Sequence, residues 1–155
     1  MENLTVTFLA SFLIWFLYAG LLILWITDGK IKKETVIHAL LASLTAWLLA
    51  EFIKSLIPTV RPFLLNGNPI KTLTFPSDGA FPSAHAATAF ALAVTVWFHD
   101  RKVGWIYLAL ALIIGIARVV ANVHYPQDIL GGAVLGILIA FLIEKLHLFQ
   151  LLRRK

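Results

Sequence analysis

Arg118, His124 and Asp128 interrupt an otherwise apolar region in the stretch ARVVANVHYPQDILGG, from Ala117 to Gly132. Ionisable side chains between runs built for lipid are costly and mark function. If a helix resumes at Pro126, a residue suited to the first helical turn, Asp128 falls in that turn and reaches back to the imidazole of His124. The expected product is an oriented histidine beside a fixed cation. Two other segments carry similar groups: Lys54 and Arg61, seven apart, and Ser83 and His85 at the head of the run FPSAHAATAFALAVTVWF. Three cations, two histidines and one carboxylate thus gather where apolar runs end. Cations around a helix start, with the amides of Ser83, Ala84 and His85 directed outward, make an oxyanion site whose natural ligand is phosphate. The rival chemistry is zinc, held by His124 and Asp128 one turn apart with His85 as a third ligand. Three neighbouring cations oppose a divalent ion, and no metal is expected there.

These residues need a membrane scaffold to hold them. The chain of 155 residues is 60% hydrophobic and only 14% charged, with a mean hydropathy of +0.88. Such a composition identifies an integral membrane protein, all-α, a polytopic bundle of about five transmembrane helices, with six as the alternative, in one domain over residues 1–155. The spans are read as Leu4 to Ile26, Thr35 to Ile57, Pro82 to Phe98, Val103 to Asn122 and Pro126 to Leu146. The first, 23 residues without a charge, is too long for a secretory signal and lacks its basic start, so it reads as a retained helix. Residues from Pro58 to Phe81 form one long loop with RPF, NGNP and PSDG turn signals, expected as a partly ordered cap over the site. The absence of cysteine excludes thiolate metal sites and thiol nucleophiles. The net charge of +5 is scattered over short loops, so a nucleic-acid partner is not expected and anionic lipid is.

Other residues read as structural. Glu51 and Lys54, three apart, suit a helix-surface ion pair. Gly132 and Gly136 form a small-xxx-small step for close helix packing. His38, His99 and His147 stand at span ends, where an amphipathic ring needs no further role. Trp25, Trp97 and Trp105 fit an interfacial belt, whereas Trp15 and Trp47 lie deeper, facing lipid or core.

Five spans put the long loop and the turn before Pro126 on one side. Nine of the thirteen Lys and Arg residues fall on the other: Lys30, Lys32, Lys33, Arg101, Lys102, Lys145, Arg153, Arg154 and Lys155. The positive-inside rule then places the C-terminus in the cytoplasm and the site outside, in a multi-pass protein of the plasma membrane.

The segments KSLIPTVRP (Lys54 to Pro62), PSAH (Pro82 to His85) and ARVVANVHYPQD (Ala117 to Asp128) resemble the three signature motifs of the type 2 phosphatidic acid phosphatase family. Spacing and order agree at all three, over about half the chain. Ala84 stands where the family has Gly, which keeps the backbone amide, and Ala117 where it has Ser, which removes a hydroxyl. The resemblance implies a metal-independent lipid phosphatase without cofactor. In it His124 is the nucleophile that forms a phosphohistidine, Asp128 orients it, and His85 is the general acid and then base. Lys54, Arg61, Ser83, Ala84 and Arg118 form the phosphate cradle. The implied substrate is a membrane lipid phosphate, first an isoprenoid carrier such as undecaprenyl diphosphate, with phosphatidylglycerophosphate or phosphatidic acid as the alternative. From another class, a lipid-phosphate binding or transport protein without turnover would keep the same cradle. Oligomeric state is left open.

Overall fold

The computed structural model describes residues 4–27 and 30–146, with the side chains of residues 30–32 left out. His147, Arg153, Arg154 and Lys155, used in the sequence reading, lie outside the described residues, as do the side chains of Lys30 and Lys32. The regular secondary structure of the described residues is entirely helical, in the order α1 (Leu4–Ser11), α2 (Leu13–Thr27), α3 (Lys30–Leu56), α4 (Pro62–Asn66), α5 (Ala84–His99), α6 (Arg101–Val120) and α7 (Pro126–Leu146).

Helix α5 is the axis of the bundle, packed along α3, α6 and α7. Its sequence explains this position. Ala86, Ala87, Ala89, Ala91 and Ala93 keep its girth small, and every residue from Ala86 to Val96 is buried. Ala39, Ala42, Ala46 and Ala50, at helical spacing on α3, are all fully buried, so α3 presents a stripe of small residues inward and leaves its larger side chains outward. Gly132 and Gly136 do the same for α7: a methyl at either would overlap the carbonyl of Ser83 or of Ala87. Without a hydrophobic drive between helices in lipid, close backbone contact of this kind holds the bundle.

Three helices, α3, α6 and α7, are long and apolar enough to cross a membrane, and α1 with α2, bent by 49° at Phe12, passes the same test when the pair is taken together. Helix α5, at 16 residues, is shorter than the roughly 20 that a lone span needs. Its neighbours shield it from lipid on all sides. The five expected spans correspond to α3, α6, α7, the bent pair α1–α2 and the short central α5.

The bend in the first span was not foreseen, since no Pro or Gly lies at Phe12. At the break Arg118 of α6 donates from Nη1 to the carbonyl of Ala10 at 3.2 Å, and Ser11 Oγ accepts from the amide of Leu73 at 3.2 Å. Side chains that take over helix groups are a recognised cause of kinks.

The long loop also has more structure than its turn signals suggest. It holds the short α4, with Pro62 in its first turn and Gly67 closing it at φ 67°, a left-handed conformation that glycine adopts freely. Asn122, at φ 63°, a value asparagine tolerates, fastens the loop to the α6–α7 turn through side-chain bonds to Asn66 and Asn68.

Candidate active site

The start of α7 is fixed by a side-chain cap. Pro126 opens the helix, and the amide of Tyr125 donates to Asp128 Oδ2 at 2.8 Å, the side-chain half of a capping box. This bond fixes Asp128, and the same oxygen then stands 3.4 Å from Nδ1 of His124, both side chains being 1% exposed. Nδ1 has no aligned hydrogen-bond partner at that separation, and the carboxylate faces the ring edge that would carry a proton. Nε2 of His124 faces the other way, 3.4 Å from Nη1 of Arg61. His124 lies in the turn outside both flanking spans. Burial pushes its imidazole down to about 4; the Asp128 carboxylate opposes this, and the charges of Arg118 and Arg61 reinforce it. A ring held neutral in this way has a free lone pair and can act as a nucleophile.

Arg61 is 2% exposed and makes hydrogen bonds from all three of its guanidinium nitrogens. Nη1 donates to the carbonyl of Val123 at 2.8 Å, Nε to that of Asp78 at 2.9 Å, and Nη2 to Asp78 Oδ1 at 2.8 Å and Gly79 O at 3.1 Å. Lys54 pairs with Glu51 at 2.8 Å and with Asp78 Oδ2 at 2.5 Å. The helix-surface pair expected of Glu51 and Lys54 thus exists, and it coexists with convergence on the site. Asp78 bridges both cations from the loop. Burial raises its carboxyl, but the hydrogen bond from Lys54 and the charges of Lys54 and Arg61 outweigh that and hold it below the usual range. The sequence reading missed Asp78: it took PSDG as a turn alone, and the only signal was an acid among turn residues facing a cationic site.

At the head of α5, Ser83 is the N-cap, its Oγ accepting from the amide of Ala86 at 3.4 Å. One expectation is corrected here. The amide of Ser83 does not point out; it donates to the carbonyl of Asp128 at 2.9 Å, and Ser83 is fully buried. Outward amides are left at Ala84 and His85, the first two helical residues, which have no intrahelical acceptor. The Ser83–Asp128 bond joins the starts of α5 and α7.

One cavity of about 760 Å³ gathers Lys54, Arg61, Ala84, His85, Arg118 and His124. Asp128 stands behind His124, and Ser83 beneath Ala84. The same cavity continues between α2 and α3, past Tyr18, Leu40 and Leu44, with Trp15 and Trp47 among its walls. Leu40 and Lys54 are fourteen residues apart on α3, so the apolar part runs about 21 Å from the charged end. Trp15 and Trp47 are exposed, at 64% and 46%, and border this groove. Arg118 keeps one edge on Ala10, and its Nε has no protein partner. Ala117 packs in an apolar cluster with Ala10, Phe63, Ala121 and Val123, so a hydroxyl there would meet carbon. Among the described residues, no group of three metal-binding side chains includes His85, His124 or Asp128.

A helical membrane bundle whose buried cations, histidines and helix start share one cavity with an apolar groove defines a class: a membrane protein with a candidate oxyanion site at the head of a lipid-sized cleft. Comparison with known proteins gives the class its family. The PAP2 superfamily sequence model matches residues 35–151, and the chain belongs to the PAP2 superfamily. It is 35% identical over 143 residues to the bacitracin transport permease protein BcrC of Bacillus licheniformis, covering 92% of this chain and 70% of that one. It is 30% identical over 123 residues to the undecaprenyl-diphosphatase BcrC of Bacillus subtilis, covering 79% of this chain and 63% of the relative. Among solved structures, that of Aquifex aeolicus LpxE superposes with a TM-score of 0.75 at 26% identity, over 94% of this chain and 88% of that one.

Proposed function

We propose that this protein is an integral membrane phosphatase that hydrolyses a lipid phosphate through a phosphohistidine on His124. The observation that carries the reading is the single cavity: its charged end has the groups phosphoryl transfer needs, and its apolar extension of about 21 Å suits a lipid tail. Nε2 of His124 attacks phosphorus, and the bond from phosphorus to the leaving oxygen breaks. His85 gives that oxygen a proton. Water then loses a proton to His85 and attacks phosphorus, the phosphorus–nitrogen bond breaks, and His124 is restored with release of inorganic phosphate. Asp128 holds the ring and stabilises the positive charge it acquires. Lys54, Arg61, Arg118 and the amides of Ala84 and His85 receive the phosphoryl oxygens, with Ser83 fixing the helix end that presents those amides. No step calls for a metal or cofactor.

The preferred substrate is undecaprenyl diphosphate, in keeping with the name of the Bacillus subtilis relative and with the long apolar groove. Phosphatidylglycerophosphate and phosphatidic acid are the alternatives. The site faces outward from the plasma membrane: Lys33, Arg101, Lys102 and Lys145 stand at the opposite end of the bundle, as cytoplasmic cations do. A cysteine at Leu65, unique in this cysteine-free chain, is expected to label with an impermeant reagent on intact cells; protection would reverse the orientation.

A second reading, binding or transport without turnover, draws on the name of the Bacillus licheniformis relative. Phosphate release from a panel of lipid phosphates by purified protein in excess chelator separates the two. Release by wild type and its loss in His124→Ala supports hydrolysis. No release from any lipid supports the binding protein.

A further inference from the structure

At the end of the bundle away from the cavity, three helices bring one side chain each to a single point. His38 of α3 and His99 of α5 place Nδ1 and Nε2, respectively, 3.1 Å from the same oxygen, Oε2 of Glu144 on α7. His38 was expected at an interface; it lies more than two turns inside α3 and is fully buried. The side chains of His99 and Glu144 are 12% and 26% exposed. Sixteen residues of α3 separate His38 from Lys54, about 24 Å, so this cluster plays no part in the phosphoryl chemistry.

We propose that His38, His99 and Glu144 form a binding site for a divalent transition-metal ion of the zinc class. Two imidazoles and one carboxylate are the donor set zinc takes in three-ligand sites. The donor atoms all lie within 4.8 Å of one another. A tetrahedral ion with bonds of about 2.0–2.1 Å spaces neighbouring donors about 3.3 Å apart. Two of the separations here are 3.1 Å and the third, between the imidazoles, is within 4.8 Å, so the two rings need only close toward each other for the three donors to surround one ion. The backbones are already fixed, since α3, α5 and α7 pack on one another along their lengths, and no ordering of a loop is needed. The partly exposed edge at His99 and Glu144 leaves the fourth position to water. Arg101, close in sequence to His99, lies over the ring of Trp97 at 4.7 Å rather than on Glu144. The bound ion joins the ends of the three core helices, and metal that binds only the folded state raises its stability.

The test uses tag-free full-length protein in detergent, stripped with chelator and titrated with Co2+ alone. One equivalent is expected to bind with the intense visible absorption of tetrahedral cobalt, to be displaced by Zn2+, and to raise Tm. His99→Gln and Glu144→Gln, at partly exposed positions, should each weaken binding more than tenfold while the metal-free Tm stays near that of wild type. His124→Ala should bind cobalt as wild type does. If stripped wild type shows no saturable cobalt band, the three residues are a hydrogen-bonded cluster and the proposal fails. It fails equally if the band survives in both Gln variants or is lost in His124→Ala. Should either Gln variant lower the metal-free Tm, X-ray absorption of the zinc-loaded wild type decides: two imidazoles with oxygen ligands support the site, and any other ligand set overturns it.

Discussion

Asp128 Oδ2 faces His124 Nδ1 at 3.4 Å while taking the amide of Tyr125 at 2.8 Å. A single carboxylate oxygen therefore both caps α7 and orients the proposed nucleophile. Asp128→Asn keeps an acceptor for the amide and loses the charge opposite the ring. We expect kcat to fall about 10²–10⁴-fold, the scale of a lost catalytic proton or charge partner, with KM changed less than about threefold. Asp128→Ala loses the cap as well, costing about 1 kcal/mol and lowering Tm by a few degrees. Steady-state kinetics and thermal melts of both variants separate the two roles.

Asp78 occupies the cations that phosphate is proposed to use. Its carboxylate holds Lys54 and Arg61 together, so an incoming anion competes with it. Asp78→Asn should tighten inhibition by vanadate or phosphate about three- to tenfold, a modest gain because the side chain is 40% exposed and water screens the pair. Weaker inhibition would instead make Asp78 part of the anion site.

The acid limb of activity follows from His124. Burial lowers its imidazole from 6.5 to about 4, so the neutral ring persists well below the usual range. The acid limb of kcat/KM that belongs to His124 should fall near pH 4. Because Asp128 acts to raise this value, Asp128→Asn should move the limb lower still. The sign for stability is also set: between about 4 and 6.5 the unfolded chain binds the proton and the folded one does not, so this group makes stability increase with pH across that window. A limb near 6.5 in wild type would show that His124 is solvated.

Gly132 and Gly136 test packing against chemistry. A methyl at Gly132 overlaps the carbonyl of Ser83, and one at Gly136 that of Ala87. Each Ala substitution should cost about 1–3 kcal/mol. Gly132→Ala should also lower kcat, because Ser83 is the cap at the head of α5, whereas Gly136→Ala, one turn further on, should lower Tm with kcat near wild type.

Much of the candidate site's convergence on one cavity was legible because its residues obey local rules. The four-residue step from His124 to Asp128 and the Pro at the helix start dictate where the carboxylate points. Lys54, Arg61, His85 and Arg118 were found because charges beside apolar runs stand out. The relationships that escaped are long-range. Asp78 pairs with Lys54 across 24 positions from within a stretch whose composition reads only as turns. His38 meets Glu144 across 106, and His38 alone looks like an interfacial residue. The bend at Phe12 depends on Arg118 reaching Ala10 across 108. The amide of Ser83 was misjudged because helix-end rules say which donors are spare within a helix and nothing of a carbonyl on a neighbour. The spans were read from hydropathy, which cannot tell a lipid-facing helix from α5, enclosed by the others.

The most direct measurement is to quench the purified protein during turnover of lipid substrate carrying radiolabelled phosphate and to locate the label. Label stable in base, lost in acid, carried by the peptide that contains His124 and absent from His124→Ala is the predicted result. Turnover by wild type with no trapped label, or equal label in His124→Ala, would contradict a phosphohistidine at this residue.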